Sequence, residues 1–282
     1  MVITKCYLCK SDKFKKVAKK TRDLKKIFPI KCENCNLVTL NTFSHIKKNH
    51  YENSGMHNAK SRSIKEWMKQ GKVDDLRRAN SLKKFIKNKT VLDFGCGSGG
   101  FLFHAKKIAK QVTGVELETR VQNYWKNSIN IFSDIDSTKQ KFDLITMFHV
   151  VEHVGDPIKI ITNIEKFLKK KGVLIIEVPN HDDALISMYD SKEFIESYYW
   201  SQHLYVFNNK TLKNVIKKSG FKSIQINQVQ RYTLSNHLHW LAKGLPNGHN
   251  KWAFLNDQKM DQIYSERLLD LKKCDTIMAI CK

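Results

Sequence analysis

The chain has 282 residues, 41 % of them hydrophobic, which suits one main globular domain with accessory segments. No apolar run approaches the roughly 20 residues that span a bilayer, and the N-terminal MVITKCYLCK lacks the apolar core of a signal peptide. A cytoplasmic protein is expected, with its seven cysteines as reduced thiols or metal ligands rather than disulfides. The net charge of +23 raises binding to nucleic acid or a membrane surface, but only seven of the 50 basic side chains are arginine. Lysines spread along the chain fit a solvated surface better than bidentate phosphate recognition.

Residues 1–50 hold two cysteine pairs, Cys6-x-x-Cys9 and Cys32-x-x-Cys35. Each pair has the spacing of a knuckle that offers two thiolates to a tetrahedral zinc ion, and four thiolates leave no open position for catalysis. A segment this poor in apolar groups needs such a staple. Residues 1–50 are therefore predicted to be a zinc-ribbon module with a structural Zn. In residues 51–88, Trp67, Met68, Leu76, Leu82, Phe85 and Ile86 recur at roughly helical spacing, which predicts a helical connector packed on the next domain.

From Lys89 onward strands and helices alternate. Strands are predicted at 90–94, 111–116, 129–132, 142–148 and 173–178, and helices at 101–110, 121–126 and 156–168, with Pro157 in the first turn of the last. Asn208 can cap a helix over 210–218 that Gly220 ends, and strands follow at 221–229 and 275–281. This order predicts an α/β, Rossmann-like fold, a mainly parallel sheet flanked by helices, over residues 89–282. Residues 233–272 interrupt it as an insertion rich in His237, His239, Trp240, Asn247, His249 and Trp252, expected to form a lid or substrate wall. Cys96, Cys274 and Cys281 fall in apparent core or loop positions.

The segment Val91-Leu92-Asp93-Phe94-Gly95-Cys96-Gly97-Ser98-Gly99-Gly100-Phe101 follows a strand and opens a helix, where a Rossmann-type fold binds its cofactor. Gly95-x-Gly97-x-x-Gly100 satisfies a dinucleotide fingerprint, with Glu116 at a suitable distance. Asp93-x-Gly95-x-Gly97-x-Gly99 equally satisfies a pattern for S-adenosylmethionine. Charge separates the two. A pyrophosphate on the helix N-terminus would be repelled by Asp93, whereas an ammonium and a sulfonium are favoured by it. Glu116 would accept hydrogen bonds from both ribose hydroxyls.

With these motifs in place, residues 89–180 resemble the class I S-adenosylmethionine-dependent methyltransferases. The run from Phe142 to Pro157 (FDLITMFHVVEHVGDP) resembles the segment after the family's loop motif, and the run from Leu168 to Asn180 (LKKKGVLIIEVPN) its next strand. More narrowly, the chain is similar to bacterial methyltransferases with an N-terminal zinc ribbon, many found with surface-polysaccharide assembly. The resemblance implies that Asp93, Phe94, Gly95 and Gly97 hold the methionine end of the cofactor and Glu116 with Leu117 the ribose. Asp134 stands where the family often contacts adenine. Met147, Phe148 and His149 would line the pocket near the methyl group.

Methyl transfer is an in-line displacement that requires an aligned acceptor and, for a hydroxyl, a general base. His149, Glu152 and His153 cluster at the carboxyl edge of the sheet and share a face if that segment is helical. His203, in a segment resembling a substrate-side loop, joins them as a candidate. His149 is the first choice for the base and His203 the second; Glu152 and His153 equally suit holding the loop by hydrogen bonds. Two acceptor classes compete. One is a small sugar-like molecule, a sugar nucleotide or glycan precursor methylated on oxygen. The other is RNA, gripped by ribbon and basic surface. The insertion balances Lys243, Lys251, Lys259, Lys272 and Arg267 against Asp257, Asp261, Glu266 and Asp270, which argues against a phosphate-tracking wall.

Overall fold

The structure is a computed structural model that describes residues 2–47 and 63–282. The part of the expected connector at 51–62 and the end of the ribbon module at 48–50 lie outside the described residues.

Eleven strands form two sheets among the described residues. The larger contains β4 (Thr90–Phe94), β5 (Gln111–Val115), β6 (Asn130–Phe132), β7 (Phe142–Phe148), β8 (Leu168–Pro179), β10 (Ile224–Val229) and β11 (Thr276–Cys281). Its order is β10-β11-β8-β7-β4-β5-β6. The β4–β8 part is parallel, and β11 runs antiparallel to both β8 and β10. The sheet is therefore mixed, with the last strand of the chain set between two earlier ones. Leu92, Leu144, Ile145, Leu174 and Ile175 are wholly buried, the apolar runs expected of strands covered on both faces. The order reverses beside β4, which leaves β5 on one side and β7 on the other, and such a switch point opens a crevice at the carboxyl ends of the strands.

The helix Ile64–Ser81 begins with a capping box, Ser63 receiving the Glu66 N–H while the Glu66 carboxylate receives the Ser63 N–H at 2.8 Å. It packs along the helix Gly100–Ala105 that follows β4, so it lies across the glycine loop. The insertion is helical, with helices Leu234–Lys243, Gly248–Lys251 and Gln258–Leu271 between β10 and β11.

The smaller sheet is β1 (Phe14–Lys16), β2 (Pro29–Cys32), β3 (Val38–Leu40) and β9 (Tyr205–Val206), antiparallel throughout. Its fourth strand comes from the main domain. Thr39 Oγ1 donates to the Leu204 carbonyl at 2.9 Å, and Ser201 donates to the Asp23 carboxylate through its N–H at 3.1 Å and its hydroxyl at 2.5 Å. Leu8, Leu37 and Leu40 share one apolar cluster with Ile161, Phe207 and Leu212. The cysteine module is thus fused to the core of the sheet domain rather than tethered beside it. No helix among the described residues is long and apolar enough to cross a membrane.

Candidate active site

β4 ends at Phe94 and the chain turns through Gly95 and Gly97, whose φ values of +71° and +52° lie in the left-handed region that glycine alone enters without strain. Asp93, at the end of β4, is 3 % exposed and accepts from Thr146 Oγ1 at 2.7 Å. Glu116 follows β5 and folds back onto the loop, its Oε2 accepting the Gly97 N–H at 2.9 Å and its Oε1 the Glu118 N–H at 3.1 Å. A third acid comes from the helix across the loop. The Asp75 carboxylate fills the space where a side chain on Gly100 would stand, and the Trp67 ring lies 3.2 Å from where Gly97 would carry a Cβ.

Electrostatics show what these acids lack. Burial pushes the Asp93 carboxyl up to about 7, against the Thr146 hydrogen bond and the Arg78 charge, with Asp75 and Glu116 adding to the rise. Burial lifts Asp75 to about 6, and lifts Glu116 against the backbone N–H groups it accepts from. Three carboxyls gathered around one glycine loop, their ionisation opposed by burial, gain from a cation bound beside them. A ligand carrying an ammonium and a sulfonium fits there; a pyrophosphate does not. The residues present thus fit S-adenosylmethionine.

A second charged cluster occupies the carboxyl edge of β7 and β8. Glu177 on β8 is wholly buried and receives Arg77 through two hydrogen bonds, at 3.0 and 2.9 Å, and Arg78 through two more, at 2.9 and 2.7 Å. Burial opposes its ionisation, but Arg78, His149 and Arg77 hold it well below the carboxylate range. Asp74 takes Arg77 and, from the link between β10 and the insertion, Arg231, whose Nε donates at 2.9 Å. His149 stands at φ +55° just past β7, with Nδ1 3.1 Å from Glu152 Oε1 and Nε2 3.6 Å from Glu177 Oε1. Burial lowers its proton affinity, but the bonds to Glu152 and Glu177 win and raise it above an ordinary histidine.

The other expected site residues are placed as follows. Met147 has no exposed surface and sits in the core, so it lines no open pocket, because alternate residues of β7 point to opposite faces. Phe148, on the other face, packs edge-on to Phe101 and carries the Arg78 guanidinium 4.5 Å above its ring. Phe94 is partly buried against the core, and Leu117 is 41 % exposed. Asp134 is exposed and spends its carboxylate on its own loop, accepting the Ser137 N–H at 2.9 Å and hydroxyl at 2.8 Å. The segment with Glu152 and His153 is a single turn, Val151–His153, rather than a helix. It therefore parts the two histidines: His149 faces the arginines, while His153 turns inward to the Gln202 carbonyl at 2.8 Å and the His203 ring at 4.9 Å. The side chains of the insertion are mutually engaged. His237 bonds Tyr264 at 2.9 Å, His239 bonds the Leu245 carbonyl at 2.7 Å, and Trp240 packs on Phe194 at 5.1 Å. Two of those rings bond within the insertion, Trp240 packs it onto the helix Lys192–Tyr198, and Arg231, just ahead of the insertion, reaches the charged cluster.

The four cysteines of the first module meet. Cys6 and Cys35 sulfurs are 3.5 Å apart, as are Cys9 and Cys32, and all four lie within 4.8 Å of one another. Tetrahedral zinc with bonds of about 2.3 Å needs sulfurs roughly 3.8 Å apart, so the set fits the ion. Cys96, Cys274 and Cys281 are buried singly.

Asp74, Asp75, Arg77, Arg78, Glu177 and Arg231 escaped sequence reasoning. The run Asp74-Asp75-Leu76-Arg77-Arg78 resembles a solvated helix face, and its one signal is the density of both charges within five residues.

A seven-stranded mixed sheet with an acid-ringed glycine loop at its switch point defines a class I S-adenosylmethionine-dependent methyltransferase. A family model described as a methyltransferase domain matches residues 64–226, and the chain belongs to that family. An S-adenosylmethionine-dependent methyltransferase from Archaeoglobus fulgidus shares the fold, with a TM-score of 0.52 and 22 % identity over 75 % of this chain and 93 % of that one. The chain is 34 % identical over 135 residues to a ubiquinone biosynthesis O-methyltransferase of Coxiella burnetii, covering 41 % of this chain and 57 % of that protein. It is 26 % identical over 194 residues to a tRNA U34 carboxymethyltransferase of Campylobacter jejuni, covering 59 % and 65 %. The chain thus spans less than two thirds of either curated relative.

Proposed function

We propose that the chain transfers a methyl group from S-adenosylmethionine to a hydroxyl of a small, sugar-like acceptor, such as a sugar nucleotide or surface-glycan precursor. His149 carries this reading: a histidine of raised proton affinity, a quarter exposed, at the carboxyl edge beside the glycine loop. When bound, the cofactor supplies an electrophilic methyl on a sulfonium. Asp93 and Asp75 favour its cationic groups, Glu116 its ribose hydroxyls, and the backbone at Gly95 and Gly97 its close approach. Glu152 accepts from Nδ1–H of His149 and orients the ring, and Nε2 takes the acceptor's proton. His203 makes a poor base, because burial lowers it to about 3.

The likeness to a protein named as an O-methyltransferase and the near-balanced charge of the insertion support a small hydroxylic acceptor. RNA remains the second reading, favoured by the likeness to a protein named as a tRNA carboxymethyltransferase and by the net charge of +23. We read residues 1–50 as a zinc ribbon on Cys6, Cys9, Cys32 and Cys35, 51–88 as the connector whose helix delivers Asp74, Asp75, Arg77 and Arg78, and 89–282 as the methyltransferase domain. Incubation with labelled S-adenosylmethionine and, separately, sugar nucleotides and total RNA tests the acceptor. Label in the sugar fraction supports the proposal, and label in RNA alone overturns it.

A further inference from the structure

After His149 the turn Val151–His153 packs against residues 200–205, where the Leu204 N–H donates to the Glu152 carbonyl at 2.8 Å. Glu152 is wholly buried there. Its Oε1 is engaged by His149, but its Oε2 is enclosed and has no hydrogen-bond partner among the described residues. A buried carboxylate oxygen in that state is strongly destabilising unless a positive centre completes it. The imidazoles of His153 and His203, with that of His149, favour its charge. His153 binds the Gln202 carbonyl through Nδ1 at 2.8 Å. A carbonyl only accepts, so the proton is on Nδ1 and the lone pair on Nε2, the tautomer of a metal-ligating histidine whose other nitrogen is anchored by the backbone. The His203 ring stands 4.9 Å away at 64°, and the Trp200 ring closes over both at 6.1 and 5.4 Å. The ligand atoms of Glu152, His153 and His203 all lie within 4.8 Å of one another.

We propose that Glu152, His153 and His203 form a site for one divalent transition-metal ion, separate from the four-cysteine site, with the Glu152 carboxylate linking the ion to His149. Two imidazole nitrogens and one carboxylate oxygen suit zinc, iron or manganese rather than magnesium or calcium, and three protein ligands leave a position for an exogenous oxygen. Metal binding stands independently of the acceptor.

The test uses the full chain, depleted with a mild chelator and titrated with Co2+ and Zn2+, with bound metal counted by elemental analysis. The wild type is expected to bind two equivalents: one with the thiolate-to-cobalt band of a cysteine site, one with only weak visible absorption. His203→Ala and Glu152→Gln are expected to lose the second equivalent, or weaken it at least tenfold, while keeping the thiolate band. His203→Asp, which restores a ligand, is expected to recover it. A single equivalent in the wild type overturns the proposal without need of any variant. Two equivalents persisting in His203→Ala and Glu152→Gln overturn it as well. If two equivalents bind and the sugar acceptors take no methyl, the acceptor reading falls and the metal site stands.

Discussion

The guanidinium of Arg77 and the carboxylate of Glu177, 100 residues apart in sequence, meet through two parallel hydrogen bonds of 3.0 and 2.9 Å. This pair ties the helix over the glycine loop to the edge of β8, and Arg78 and His149 converge on the same carboxylate. Glu177 is wholly buried, so its loss strands two arginines in a low-dielectric site. Glu177→Ala is expected to cost about 3–5 kcal/mol in denaturant unfolding. By contrast, Lys169 bonds Asp143 with 44 % of its side chain exposed, and Lys169→Ala is expected to cost less than about 1 kcal/mol. Equal losses would show that the Glu177 cluster is no more integral than a surface pair.

Cofactor affinity should fall in acid. Asp93 titrates at about 7 in the folded chain against 3.8 ordinarily, so its protonated form stabilises the empty protein at low pH, and this contribution is lost as pH rises through 7. A cationic ligand prefers the ionised form, so binding below pH 7 must release the proton. Calorimetry at pH 6 in two buffers of different ionisation enthalpy is expected to show that release and an affinity that drops by up to about tenfold per pH unit. Asp93→Asn should weaken binding by about 1–3 kcal/mol and flatten the pH dependence, and Glu116→Ala should cost a similar amount.

Turnover should depend on neutral His149. Its proton affinity is raised, so the acid limb of the kcat profile is expected above the ordinary value of 6.5, with activity rising as pH climbs through it. His149→Ala is expected to lower kcat by about 10²–10⁴-fold with little change in cofactor affinity. Near-normal turnover in that variant would leave positioning alone as the source of catalysis.

The ribbon should melt with the domain. Its thiols are proposed to bind zinc, and its apolar residues lie in the same cluster as those of the sheet domain. Cys32→Ser is expected to lose the ribbon's zinc and shift a single calorimetric transition downward. Two separate transitions, one of them unmoved, would show an independent module.

Much of the scaffold was legible because its signals are local. The apolar runs at 90–94 and 142–148 and the cap at Asn208 depend on neighbours a few residues away, and each element lies close to where its pattern placed it. The pairing of the cysteines was legible for the same reason. Less visible was the length of β8, which begins at Leu168 because the polar Lys169–Lys171 stretch continues the extended backbone beyond the apolar run. The arrangement of the histidines was less legible: helical spacing would align His149 with His153, but after a positive φ at His149 the segment is a single turn in which His149 bonds Glu152 and His153 bonds the Gln202 carbonyl.

The glycine loop, the acids near the ends of β4 and β5 and the thiol knuckles are local features, since a left-handed turn or a two-thiolate corner is built from adjacent residues. Which charges share a site depends instead on how distant elements pack. Asp75 reaches Gly100, Arg77 and Arg78 reach Glu177, and Arg231 reaches both Asp74 and His149. No periodicity encodes those meetings, because a charged residue on a helix looks the same whether its face is solvated or buried. The strand order that sets β8 beside β7, with one helix laid across the loop, brings these charges out of water, where each is held by the partner it finds.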